Sequence, residues 1–218
     1  KIIGYLDQGS YPHHWANPHC YARKGPIFLF NKLIENPWMG LIIKPKKPIR
    51  FKEKLGEKNL PLLQKAIDTG RLYITLESAK GHYKNFVDSP ALVSMVSDIC
   101  IHDGMFASTA GLESYLSGTR TVIYDNMGFH ESIFMNEDNK NLIGFSNFNK
   151  IWELFIKHFD KPIKGLGDWS RIIKYFDPYQ DEKSSERLTY LIKLLLKYHD
   201  TKLSQSEILE KSFIDYSS

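Results

Sequence analysis

The sequence predicts an α/β fold: a Rossmann-like parallel sheet with helices on both faces, followed by C-terminal helices. Three observations lead there. Short apolar runs alternate with amphipathic stretches over roughly the first 125 residues. Runs such as Leu41-Ile42-Ile43 and Thr121-Val122-Ile123-Tyr124 are apolar almost throughout, as strands buried on both faces are. The polar segments fall just after the strands, where right-handed crossovers put the ligand edge of such a sheet.

Taken in order, 1–6 reads as the first strand and 7–10 as a turn. Residues 11–19 hold His13, His14 and His19 with two prolines and a tryptophan, so they read as a loop. A helix is expected over 20–35 from Ile27, Phe28, Phe30, Leu33 and Ile34, ended by Asn36-Pro37. Residues 40–44 form the second strand, stopped by Pro45 and Pro48. Residues 60–68 are helical with Gly70 as cap, and 72–75 are the third strand. Ser89-Pro90 opens a helix through Met95, with proline at its favoured first position. Strand 99–102, helix 108–117, a Gly118 cap and a fifth strand over 120–124 complete the alternation. Beyond 140 the pattern turns helical: 147–159, a short helix over 169–176, 184–198, and a peripheral helix and tail over 201–218. The expected division is a Rossmann-like core over 1–145 and a helical segment over 146–218 packing on it, one domain overall.

At 218 residues the chain can bury a sizeable core. Its 42% hydrophobic and 25% charged residues are ordinary for a soluble globular protein. No apolar run approaches the ~18 residues that span a bilayer, and no signal-peptide pattern is present. Cys20 and Cys100 are too few for a disulfide framework, which fits a reducing cytoplasm. The net charge of +4 is mildly basic, with Lys44, Lys46, Lys47, Arg50, Lys52 and Lys54 as its densest cluster. That balance suits an anionic ligand or an acidic membrane face. Aromatic-interleaved basic motifs are missing, so no nucleic-acid partner is expected. The chain opens on Lys1 rather than Met, already inside a strand, which suggests a piece of a longer protein.

The candidate site residues converge on the carboxyl ends of the strands. His102-Asp103-Gly104 ends a strand, and Ser108-Thr109 then starts a helix carrying Glu113. Unpaired N–H groups and the dipole of a helix start favour an anion, while a carboxylate one turn on can accept hydrogen bonds from sugar hydroxyls. The plainer reading is an N-cap and a solvated glutamate. Lys44-Pro45-Lys46-Lys47-Pro48 places lysines on a proline-stiffened loop, for phosphate or a sugar carboxylate, or simply as a basic surface loop. Asp125 and Asn126, with Gly128, frame a sugar or base, or make a plain turn. His13 and His14 are the candidates for catalysis. No spacing supports a metal site.

Together these motifs resemble a family. The run Ser97-Asp98-Ile99-Cys100-Ile101-His102-Asp103, then Ser108-Thr109-Ala110-Gly111-Leu112-Glu113 and a strand ending at Asp125, resembles the C-terminal domain of GT-B glycosyltransferases. Ser114 stands where that pattern usually has a small alanine. Lys44-Pro45 looks like an element of bacterial surface-polysaccharide (capsule and lipopolysaccharide) transferases. Phe176-Asp177-Pro178-Tyr179-Gln180-Asp181 with Arg187 looks like the ending of that group. The resemblance implies a nucleotide-sugar donor domain, CMP- or UDP-linked, with Ser108 and Thr109 at the phosphate and Glu113 at ribose or sugar hydroxyls. It implies no bound metal and no cofactor beyond the donor substrate. It further implies a glycan or lipid-linked acceptor, an N-terminal acceptor domain outside this chain, and work at the inner membrane face. Two rivals stand beside it: a sugar-nucleotide epimerase of the same fold, and a non-catalytic nucleotide-binding module.

Overall fold

The computed structural model describes residues 1–8, 22–75, 88–104, 109–125, 128 and 131–217. Six strands share one sheet: β1 (Ile2–Leu6), β2 (Gly40–Lys44), β3 (Leu72–Ile74), β4 (Ile99–Asp103), β5 (Thr121–Tyr124) and β6 (Gly144–Phe145). Their order is β3-β2-β1-β4-β5-β6, and every pairing is parallel. The winding therefore reverses between β1 and β4. That reversal opens a crevice beyond the strands' carboxyl ends, where ligands of such sheets bind.

Contacts divide the chain into Lys1–Arg171 and Ile172–Ser218. The first unit holds the sheet with α1 (Lys24–Glu35), α2 (Phe51–Leu55), α3 (Leu60–Asp68), α4 (Pro90–Met95), α5 (Thr109–Leu116) and α6 (Phe148–Asp160). It extends past residue 145 because α6 contributes Phe148, Ile151 and Phe155 to the main core. The second unit holds α7 (Ser184–His199) and α8 (Gln205–Ser217). There Arg187 grips Asp181 through two nitrogens at 2.7 and 2.9 Å. Its guanidinium lies 3.9 Å over the Tyr179 ring, which ties the Asp177-Pro178 turn to the start of α7. Among the described residues no helix is long and apolar enough to cross a membrane.

Strand alternation sorts side chains onto two faces. Ile3, Tyr5, Leu41, Ile43, Ile99, Ile101, Val122 and Tyr124 meet Leu29, Phe30 and Leu33 of α1 and Leu63 of α3 in the main core. Full burial of each such side chain contributes roughly 1.5–3 kcal/mol. On the opposite face Leu6 and Cys100 pack with Val93 of α4, against partly buried Ile42 and Ala110. α4 starts where expected, with Ser89 Oγ accepting the Leu92 N–H at 3.2 Å and Pro90 in the first turn.

Three elements differ from the sequence reading. Residues 169–176 form turns and a single 3₁₀ turn at Ile173–Tyr175, not a helix. Gly167 sits at a φ of 64°, and Trp169 is committed through its indole N–H to the Thr121 carbonyl at 2.7 Å. The strand β6 was not expected. It needs Gly144, where a Cβ would lie 2.1 Å from the Phe134 carbonyl oxygen. The helix α2 was also unexpected, within what reads as a basic surface run.

Candidate functional site

The sheet register builds the site from its centre. Leu6, at the end of β1, pairs with Lys44 of β2 on one side and His102 of β4 on the other. Residues paired in this way point to the same face, so Lys44 and His102 stand in one row on the α4–α5 side of the sheet. Lys46, Asp7, Gln8, Pro90, Thr109, Ala110 and Glu113 join them around a cleft of about 210 Å³. This lies at the switch point of the sheet. Five of the expected ligand-binding residues thus come together: Lys44, Lys46, His102, Thr109 and Glu113.

The close approach of α5 to the sheet rests on Gly111. A Cβ there would stand 3.1 Å from both Ile123 and Trp169 and 3.3 Å from His102. Thr109 is the first residue of α5, and Glu113 lies one turn further along. One Glu113 oxygen accepts the Ala91 N–H at 3.2 Å, bracing α5 against the start of α4. The carboxylate therefore holds the cleft wall as well as lining it.

His102 is only 3% exposed. Its Nδ1 lies 3.0 Å from the Gly104 carbonyl oxygen. A carbonyl accepts only, so Nδ1 carries the hydrogen and Nε2 the lone pair. Burial pushes the imidazole down to about 4; the Gly104 contact opposes this and the Lys46 charge adds to it. The ring is neutral at pH 7. Gly104 takes a φ of 94°, and a Cβ on it would lie 1.8 Å from Gln8 Oε1, so glycine is required for this turn.

Asp7 and Lys54 form a buried ion pair, 8% and 3% exposed. Asp7 also donates its N–H to the Lys44 carbonyl at 2.9 Å. Burial raises the Asp7 carboxyl, and the Lys54 ammonium pulls it back. Neither residue stood out in the sequence. Asp7 follows the first strand directly, which was a usable signal; Lys54 was hidden among solvated-looking lysines.

The other expected residues are not among those described around the cleft. Asp125 does not line the cleft. It is buried, and its Oδ1 accepts the Gly128 N–H at 2.9 Å, which is the work of a turn. Asn126, Ser108, His13 and His14 lie outside the described residues. On the α1 side of the sheet, burial and then the Asp103 and Asp125 charges push the Tyr124 phenol up to about 12. Burial, Asp103 and Asp7 raise Tyr5 as well. Both phenols stay neutral in ordinary buffers. Among the described residues no group of three or more His, Cys, Asp or Glu could hold a metal ion.

No family model, curated protein or solved structure matches this chain. Function is therefore read from the cleft. Two lysines can meet an anion, and a helix start can add N–H donors to it. A neutral imidazole and a carboxylate can accept hydrogen bonds.

Proposed function

We propose that the cleft binds the phosphate of a nucleotide-activated sugar, and that the chain is the donor-binding part of a GT-B glycosyltransferase. One observation carries this reading: Lys44, Lys46, Thr109 and Glu113 surround a single cleft at the switch point of a parallel sheet. Cations and a helix start suit phosphate, and a carboxylate one turn along suits the hydroxyls of an attached sugar. At about 210 Å³ the cleft lies below the ~300 Å³ of complete small-molecule sites, which matches the phosphate end of a larger ligand. In transfer, Lys44, Lys46 and the α5 amides would stabilise the charge developing on the leaving phosphate. The donor is CMP- or UDP-linked, and the acceptor is a surface glycan or its lipid-linked precursor at the inner membrane face.

The test is a thermal-shift screen of CMP, CDP, UDP and GDP, followed by calorimetry on the best ligand. A ligand that binds only the folded state raises its melting point. Lys44→Ala and Thr109→Ala should each weaken binding by about 1.5–3 kcal/mol, as the loss of a hydrogen bond to a charged group does. Absence of any shift, or affinity unchanged in both variants, overturns the assignment. Donor turnover in the longer enzyme should require an acceptor. Conversion of the donor to an epimer without acceptor would point to the epimerase instead.

A further inference from the structure

His102 sits oddly in a cleft meant for an anion. Its register with Leu6 puts it in one row with Lys44, and it shares the cleft lining with Lys46. Its Nδ1–H is held by the Gly104 carbonyl. What it can offer a ligand is Nε2, which in the neutral ring only accepts. A phosphodiester or sulfate oxygen has no proton to give. Lone pair would face lone pair, unless the ring gains a proton.

We infer that the cleft takes up its anion together with a proton, and that Nε2 of His102 receives it. This rests on the reading of the cleft as an anion site. The charged groups around the imidazole support it. Lys46 is close enough for its charge to oppose protonation of the ring while the cleft holds no anion. An anion bound at Lys46 cancels that opposition and adds an attraction of its own. Lys44 stands in the same row. Asp7, just after β1, is matched by Lys54. Glu113, from α5, is engaged by the Ala91 N–H. Asp103 belongs to the next position of β4 and so to the opposite face. From β5, Ile123 pairs with His102 and brings no charge. Among the described residues the anion is thus the group that changes the balance at Nε2. Once protonated, Nε2–H becomes a charge-assisted donor to the anion, and His102 joins the lysines as a third cationic contact.

Linkage fixes the signature. Below the pKa of the bound form, affinity should rise as pH falls, approaching tenfold per pH unit, with proton uptake approaching one per anion. Sulfate is the probe, because it does not titrate between pH 5 and pH 8. Calorimetry in buffers of different ionisation enthalpy counts the protons. On the unmodified protein, ¹⁵N-histidine NMR should show one imidazole passing from neutral to protonated on sulfate addition near pH 6. His102→Asn keeps an N–H for Gly104 but has no titrating nitrogen, so its sulfate affinity should become independent of pH. Sulfate binding with no proton taken up, or with uptake retained in His102→Asn, overturns the inference and leaves the anion cleft standing. Failure of sulfate to bind at any pH overturns both.

Discussion

At the scale of single residues, Asp7 and Lys54 each depend on the other. Both are shielded from water, and a charge without its partner there has no hydration to fall back on. Lys54→Met should therefore destabilise the fold by about 3–5 kcal/mol, the cost of leaving one buried charge uncompensated. Asp7→Asn combined with Lys54→Met should recover part of that loss. Urea melts of the parent and the two variants check it; a Lys54→Met variant as stable as the parent would show that the pair contributes no such dependence. This pair also marks the limit of reading residues in sequence. Lys44, His102, Thr109 and Glu113 were legible because strand ends and helix starts announce their location. Lys54 was not: its partner is 47 positions away, and nothing local separates a buried lysine from its solvated neighbours. Asp125 shows the converse limit, since a carboxylate closing a turn and one facing a ligand look alike in sequence.

At the scale of elements, α5 is the part of the site most exposed to perturbation. Gly111 lets it lie against Ile123, Trp169 and His102 with no space to spare. Gly111→Val would drive branched methyls into that contact and lift the helix start that carries Thr109. The expected result is a loss of about 1–3 kcal/mol in stability, typical of overpacking, together with weaker anion binding. Denaturant melts and sulfate calorimetry on the same variant check both halves. Unchanged sulfate affinity in a destabilised variant would mean that the placement of α5 does not govern the site. The strands were legible to within a residue, because continuous apolar runs bounded by turn residues leave few alternatives. β6 and α2 were not. A two-residue strand has no period to read, and its existence rests on a backbone approach at Gly144 that only the folded chain reveals.

At the scale of the whole molecule, buried neutral groups set the pH range of stability. His102 titrates at about 4 in the folded protein, against about 6.5 in an unfolded chain. Below pH 6.5 the unfolded chain gains a proton that the folded one refuses. The stability from this site is thus present above pH 6.5 and is lost as pH falls toward 4, by up to about 3 kcal/mol. Asp168, held low by the Ser170 N–H, loses its contribution only below the ordinary carboxylate value. Asp7, raised by burial against the pull of Lys54, acts in the opposite sense in acid. Tyr124 governs the other side: its phenol ionises at about 12 when folded and about 10 when unfolded. Its contribution is present below pH 10 and is lost as pH rises toward 12. Urea midpoints should therefore be highest between pH 6.5 and pH 10 and fall on either side. His102→Asn should flatten the acid limb, and Tyr124→Phe the alkaline one. Sulfate should shift the acid limb of the parent to lower pH, because an anion that protonates His102 in the folded state removes the penalty the unfolded state exploits. An acid limb unmoved by sulfate, in a protein that binds it, would show that the imidazole and the anion do not meet.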